Sequence, residues 1–290
     1  MTDVLVEKRG AVQWITINRE ERRNAMNDAV VFGIMDGLTA ATSDPDIRAV
    51  VLTGAGDRAF CAGADLSAGS GSFKYDYSKV GIPFVKLMKQ ARDLTVSLIA
   101  RVNGHAMAGG MGMMGMCDMA IAVDNARFGM PEVKVGIFPM QIMAVLQRLI
   151  PNRKLYEMAL TGEPITAAEA LELGLVNYVV PSGQLDEKLD WLLSRLLDKS
   201  PTAIRRGKYA MRQTESMSFD QAAVFMEAQI GTLALTGDAA EGRQAFIEKR
   251  APSWPGRRSP RWWRRGGDRR GRRRWAAIRE SACRRGVESR

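Results

Sequence analysis

The sequence predicts an α/β fold, and two features of the chain support this expectation. Three apolar runs, at 48–56, 97–104 and 119–125, have the pattern of buried strands and are separated by helical patterns. Strands that are apolar on both faces are typical of parallel sheets covered by helices. After Pro181, apolar residues recur at spacings of three and four, which is the helical period. We therefore expect a layered α/β region followed by a helical region.

The remaining elements follow from local patterns. Apolar residues alternate on both sides of Arg9 and Gly10, which predicts an N-terminal hairpin. Helical spacing predicts helices at 27–41 and 82–94. In the helical region the same spacing predicts four helices, at 184–197, 201–213, 219–235 and 238–249. Pro252 then ends the folded body, because proline rarely continues a helix.

Composition excludes several classes of protein. The chain has 290 residues and 46% hydrophobic content, enough for a substantial core. Its apolar runs are too short or too interrupted to span a bilayer, and its N-terminus does not resemble a signal peptide. We therefore expect a cytoplasmic protein without a membrane partner. The three cysteines lack zinc-type spacing and His105 is the only histidine, so we expect reduced thiols and no metal site.

The positive charge is concentrated in the C-terminal tail. Residues 257–290 contain 14 arginines and three acidic residues, so the rest of the chain is close to neutral although the whole carries +10. The tail lacks periodicity and has few aliphatic residues, so it cannot form a packed core. Its arginines and tryptophans could bind RNA through phosphates and base stacking. We favour the alternative that the tail is an accidental extension, and we do not expect nucleic acid as a partner.

Two glycine-rich loops, 53–67 and 103–115, follow predicted strands. Ligands of α/β sheets bind beyond the carboxyl ends of strands. Neither loop has the GxGxxG pattern directly before a helix or a GK[ST] triplet, which argues against dinucleotide and P-loop sites. Glycines let main-chain N–H groups approach a ligand closely, and two such groups aimed at one carbonyl oxygen form an oxyanion hole.

Five segments together resemble the signature segments of the crotonase superfamily, the enoyl-CoA hydratase/isomerase family. They are NREERRNAMN (18–27), AFCAGADL (59–66), VNGHAMAGG with CDMAIA (102–122), ARFGMPEVKVGIFP (126–139) and LTGEPITAAEALELGLVNYVV (160–180). The resemblance extends over residues 1–250 and has the segments in the family's order. It implies a crotonase-like spiral of ββα units with a C-terminal helical trimerisation region.

The resemblance also implies how the chain is organised. Residues 1–195 are expected to form the spiral core with an acyl-CoA site, and 196–252 a helical oligomerisation region. Residues 253–290 form the Arg/Trp-rich tail, which we expect to be disordered or artefactual. The expected assembly is a homotrimer or a dimer of trimers.

The site residues are carried over from matching motif positions. Ala64 and Gly109 match the two oxyanion N–H donors, and Glu132 matches the catalytic carboxylate. Three further positions are expected to contact coenzyme A, namely Arg58, Ala62 and Asp65. The substrate is expected to be an acyl-CoA thioester, with coenzyme A as part of that substrate and no separate cofactor.

One departure from the family pattern bears on the reaction. Hydratases of this family carry a second glutamate at the position of Gly112, and Ala108 replaces the first glycine of the usual triplet. One carboxylate is enough to move a proton from the α-carbon to the γ-carbon, so we expect isomerisation of 3-enoyl-CoA to 2-enoyl-CoA. The alternatives are a hydratase with a second acid elsewhere, for which Asp118 and Glu163 are candidates, and a weakly active scaffold that binds RNA through its tail.

Overall fold

The computed structural model of the protein describes residues 2–256, except 68–77 and 79. The strands are β1 (Val4–Arg9), β2 (Val12–Ile17), β3 (Ala49–Gly54), β4 (Ala59–Cys61), β5 (Ser97–Val102), β6 (His105–Met107), β7 (Met119–Val123), β8 (Arg127–Gly129), β9 (Ile165–Thr166) and β10 (Tyr178–Val180). The α-helices are α1 (Asp28–Ser43), α2 (Pro83–Asp93), α3 (Gly109–Gly115), α4 (Met140–Leu146), α5 (Asn152–Thr161), α6 (Ala167–Glu172), α7 (Leu185–Leu197), α8 (Pro201–Thr214), α9 (Phe219–Ala234) and α10 (Gly237–Ile247).

The larger sheet has six strands in the order β1-β2-β3-β5-β7-β10. β1 and β2 form the predicted antiparallel hairpin, with Arg9 opposite Val12 and Gly10 in the left-handed region at φ +60°. β3 pairs in parallel with β2 and β5, and β5 pairs in parallel with β7. The parallel arrangement predicted from the three apolar runs is therefore confirmed.

The smaller sheet has the order β4-β6-β8-β9, and β4, β6 and β8 run parallel. Each of these three strands follows a strand of the larger sheet after a short turn. The chain thus adds one strand to each sheet and then forms helical structure before the next pair. This repetition is the ββα spiral that the resemblance implies.

The core lies between the sheets and the helices packed on them. All six residues of β3 are buried, and the largest fully buried side chains include Phe60 and Phe128 of the smaller sheet. α1 begins at an Asn27 cap whose side chain accepts a 2.8 Å hydrogen bond from Val30 N, and the helix buries Ile34 and neighbouring residues against the sheet. Burial of each large aliphatic side chain contributes about 1.5–3 kcal/mol.

The chain after residue 200 is helical, and all four helices predicted from position 184 onward are present within two residues of their expected ends. Serine caps start α8 and α9, where Ser200 and Ser218 accept hydrogen bonds from backbone N–H groups. After α10 the chain returns to α7, where Trp254 Nε1 donates to Asp198 O at 2.8 Å.

In the described part of the chain, no helix is long and apolar enough to cross a membrane. The cytoplasmic location and the division at residue 195 stay predictions. The predictions about residues 257–290, including RNA binding, lie outside the described residues.

Candidate active site

Three parallel strands of the smaller sheet end side by side and carry the predicted site residues. Cys61 of β4 is paired with Ala106 of β6, and Met107 of β6 with Gly129 of β8. The expected oxyanion residues lie just beyond β4 and β6, and the expected catalytic carboxylate lies just beyond β8; in chain order they are Ala64, Gly109 and Glu132. The fold therefore brings these residues to one edge of the sheet, where ligands of parallel sheets bind.

The loop after β4 is fixed by hydrogen bonds to residues 23–26. Met26 N donates to Gly63 O at 2.7 Å, and Asp65 N donates to Met26 O at 2.8 Å. Ala64 lies between them, and its N–H has no hydrogen-bond partner in the described part of the chain. The loop therefore holds one free N–H donor in a backbone that is otherwise fixed.

The turn after β6 lies against this loop. Ala108 N donates to Gly129 O at 2.8 Å, while Gly109 N, at the start of α3, has no partner among the described residues. A Cβ added at Gly63 would lie 2.7 Å from the Ala108 Cβ and 3.5 Å from Gly109 N. Gly63 also has φ +97°, a conformation that favours glycine. The absence of a side chain at Gly63 is therefore what lets the two loops touch.

Ala108 is itself unusual, because it has φ +49° without being a glycine. A non-glycine residue in such a conformation costs about 1–3 kcal/mol and persists only where the surroundings enforce it. Ala108 thus keeps a backbone shape suited to the glycine that the family pattern has at this position.

Glu132 lies in a 3₁₀ turn, Pro131–Val135, that directly follows β8. Its Oε2 atom is buried and has no hydrogen-bond partner among the residues that the structure describes. Burial raises the pKa of Glu132 above its ordinary value, because a charged carboxylate loses hydration in this position. A buried carboxylate oxygen without a partner is costly, and such groups occur preferentially at functional sites.

Comparisons with known proteins identify the family of the chain. The family model of enoyl-CoA hydratase/isomerase matches residues 7–257. The chain belongs to the enoyl-CoA hydratase/isomerase family. The enoyl-CoA hydratase EchA19 of Mycobacterium tuberculosis is 39% identical over 260 residues, which cover 88% of this chain and 97% of that protein. The 2,3-dehydroadipyl-CoA hydratase of Escherichia coli K12 is 36% identical, with 89% of this chain and all of that protein covered.

Solved structures of the family share the fold. The crystal structure of enoyl-CoA hydratase from Mycobacterium smegmatis gives a TM-score of 0.82 at 31% identity, covering 87% of this chain and 98% of that chain. The expected crotonase-like α/β fold with C-terminal helices is therefore confirmed. Membership of the enoyl-CoA hydratase/isomerase family also supports the expectation that the chain is an enzyme.

The coenzyme A contact expected for the main chain of Asp65 stays a prediction, and the side chain of Asp65 holds the loop after β4. Its carboxylate accepts hydrogen bonds from Arg19 Nη2 at 2.8 Å, Ser67 Oγ at 2.6 Å and Ser67 N at 3.0 Å. These hydrogen bonds lower the pKa of Asp65 to about 2, and the bond from the Ser67 side chain has the largest effect. The ionised carboxylate therefore uses both of its oxygens to bind groups of the protein itself.

The other two residues expected to contact coenzyme A lie at different ends of β4. Ala62 follows the strand, and its N–H donates to Arg23 O at 3.1 Å. Arg58 precedes the strand and is exposed, with Nη2 donating to Glu20 O at 3.2 Å. Their contacts with coenzyme A stay predictions.

The two candidates for a second acid are both paired. Asp118 accepts from Leu98 N at 2.7 Å, Lys208 Nζ at 2.6 Å and Arg212 Nη2 at 3.1 Å. Glu163 is exposed and pairs with Lys134 Nζ at 2.7 Å. Neither has the unpartnered buried oxygen found at Glu132.

Histidine 105 joins two strands of the smaller sheet. Its Nδ1 accepts a 3.1 Å hydrogen bond from Arg127 N, which links β6 to β8. This contact gives His105 a structural role in the smaller sheet.

Sequence reasoning missed the polar residues that shape the first loop. Asn24 Nδ2 donates to Ala59 O at 2.7 Å and to Ala55 O at 2.9 Å, and its Oδ1 accepts from Arg19 N at 3.1 Å. Both Arg19 and Asn24 lie in the first family-like segment, NREERRNAMN, whose polar residues had no assigned role. Their position in a family-like segment was the sequence signal that could have identified their role.

Proposed function

We propose that the protein binds an acyl-CoA thioester at the shared edge of β4, β6 and β8 and stabilises its enolate. The observation that carries this proposal is the placement of two unused N–H donors, on Ala64 and Gly109, on loops that touch. Both N–H groups would donate hydrogen bonds to the thioester oxygen as it becomes negatively charged. Donors fixed in place stabilise such charge better than water, and losing one typically costs ~10²- to 10³-fold in rate.

Glu132 is the acid/base in this mechanism. Its buried carboxylate removes a proton from the α-carbon of a 3-enoyl-CoA and returns it to the γ-carbon, which yields the 2-enoyl isomer. Burial makes this carboxylate a stronger base than an exposed one, because its charged form is less well solvated. Coenzyme A serves as part of the substrate, and no other cofactor enters the reaction.

Hydration of a 2-enoyl-CoA is the second candidate reaction, and the names of the relatives favour it. Adding water requires activation of the water and delivery of a proton to the α-carbon, work usually divided between two groups. Position 112 has no side chain, and the carboxylates of Asp118 and Glu163 are paired. These features support isomerisation over hydration.

Product analysis separates the two reactions. The full chain is incubated in heavy water with 2-enoyl-CoA and with 3-enoyl-CoA, and the products are identified by mass spectrometry. We expect interconversion of the isomers without a water adduct, lost in Glu132→Gln and retained in the exposed-site control Glu163→Gln. A water adduct that depends on Glu132 would make the protein a hydratase, and turnover that survives Glu132→Gln would contradict the assigned role.

We also propose that the C-terminal helices assemble the protein as a homotrimer or a dimer of trimers. α9 has no buried residue although it is rich in apolar side chains, and Val224 and Ile230 are 69% and 62% exposed. Such a face is typical of an interface. Light scattering should give three or six times the chain mass, and Val224→Asp should reduce it; a monomeric wild-type protein would contradict the assembly.

A further inference from the structure

Position 112 lies one helical turn after the proposed oxyanion donor. Gly109 and Gly112 are three residues apart on α3 and therefore share a face of the helix. The Cα–Cβ bond in a helix tilts toward the N-terminus, so a side chain at 112 would extend back over the turn at Gly109. Whatever occupies this space determines which groups can reach the thioester.

In the structure this space is filled from two other helices. A Cβ at position 112 would lie 2.4 Å from Ile142 Cγ2, 3.1 Å from Ile142 Cβ and 3.2 Å from Phe84 Cζ. Ile142 of α4 is 3% exposed and Phe84 of α2 is 7% exposed, so both are packed in the core. The closest atom is a methyl group on the β-carbon of a branched side chain, which cannot swing away without moving α4.

We propose that Ile142, backed by Phe84, is a specificity-determining residue that closes the position from which a second carboxylate would act. This inference rests on the proposed function, since it places the thioester beside Gly109. The two apolar side chains keep both a second acid and a water molecule away from that side of the substrate. The choice of reaction is therefore set by Gly112 and Ile142 together, and replacing Gly112 by glutamate alone does not create a hydratase.

The steric part of the proposal has a test that does not depend on activity. Gly→Ala within a helix normally raises the melting temperature by about 2 °C. We expect Gly112→Ala to lower it in the wild-type protein and to raise it in the Ile142→Ala background. Gly207 of α8 has nothing within 4 Å of an added Cβ, so Gly207→Ala should raise the melting temperature in both backgrounds. A rise for Gly112→Ala in the wild-type protein would overturn the proposal.

The functional part is tested with Gly112→Glu alone and combined with Ile142→Ala, or with Ile142→Leu if the alanine variant does not fold. We expect hydration of 2-enoyl-CoA to increase on the order of 10²-fold over wild type only in the combined variant. Equal hydration by Gly112→Glu alone, or none by the folded combined variant, would overturn the role of Ile142. Isomerisation that survives Glu132→Gln would instead contradict the proposed function, so the two failures are distinguishable.

Discussion

Two carboxylates, Asp118 and Glu132, occupy opposite situations in the same α/β core. Asp118, directly before β7, accepts hydrogen bonds from a backbone N–H and from two cationic side chains, Lys208 and Arg212. Glu132, just after β8, has a buried Oε2 atom without a partner in the described part of the chain. The protein therefore neutralises the charge that fastens α8 to the sheet and leaves unpaired the charge at the proposed site.

The difference has opposite consequences for stability. Breaking a buried ion pair leaves an uncompensated charge, so the Asp118 cluster is costly to disrupt. At Glu132 the folded-state pKa is raised, so the folded protein binds that proton more tightly than the unfolded chain does. The stabilisation that comes from binding this proton is fully present below the unfolded-state pKa of Glu132. It is lost as the pH rises through the folded-state pKa of the same group. Above the folded-state pKa of Glu132, this contribution is absent.

The largest expected effect is on activity at Glu132. Glu132→Gln should lower kcat by ~10²- to 10⁴-fold, because it removes the acid/base group. It should also raise the melting temperature at pH values above the folded-state pKa of Glu132, because it removes a half-buried charge. Steady-state kinetics and thermal unfolding at matched pH measure both quantities. A variant that is both inactive and less stable would show that Glu132 supports the fold instead.

The Asp118 cluster should show the reverse pattern. Asp118→Ala should reduce the free energy of unfolding by about 3–5 kcal/mol, because Lys208, whose side chain is 11% exposed, loses its carboxylate partner. The matched control is Glu7→Ala, which removes an exposed pair with Arg9 and should change it by less than about 1 kcal/mol. Urea unfolding measures both values, and similar losses for the two variants would contradict the comparison.

The next largest effect is expected where the loop after β4 contacts the turn after β6. Gly63→Ala should reduce kcat/KM by about 10²-fold, because the new Cβ meets Ala108 and moves the proposed donors out of place. Gly10→Ala introduces a Cβ at a similar positive φ with nothing within 4 Å, so it should leave kcat/KM unchanged. If Gly63→Ala also leaves kcat/KM unchanged, the donors do not depend on this contact.

The pH dependence of kcat/KM tests the role of Glu132 as the base without a mutation. Because the base must be ionised, kcat/KM should fall as the pH drops through the raised pKa of Glu132, at a higher pH than for an ordinary glutamate. Rates measured with 3-enoyl-CoA across the acidic range test this. An acid limb at or below the ordinary glutamate pKa would argue against Glu132 as the base.

The smallest expected effect is at Ala108. Ala108→Gly should raise the free energy of unfolding by about 1 kcal/mol, because glycine adopts φ +49° without steric cost. Chemical denaturation gives this difference directly. A decrease would show that the alanine methyl group contributes more through packing than its backbone conformation costs.

The long elements of the fold were predictable from the sequence, whereas the smaller sheet was not. Apolar periodicity placed α2 and α7 to within one residue, because their buried faces repeat over several turns. β4, β6 and β8 have three residues each, too few for a pattern to emerge. The family-like segments nevertheless marked the ends of these strands.

The contacts that define the site depend on residues far apart in the chain. Asp118 meets Lys208 across 90 residues, and Arg19 meets Asp65 across 46. Nothing local in the sequence distinguishes a paired carboxylate from an unpaired one, so only the family-like segment marked Glu132, and nothing indicated that Asp118 is paired. Likewise, Ile142 gives no sign in the sequence that it lies against Gly112.

The most direct test of the central claim is a crystal structure with a bound, non-isomerisable acyl-CoA. We predict that the thioester oxygen lies about 2.7–3.1 Å from both Ala64 N and Gly109 N. We also predict that the Glu132 carboxylate lies about 3–3.5 Å from the α-carbon. A thioester oxygen bound by neither N–H group, or a Glu132 side chain paired with another residue in the complex, would contradict the claim.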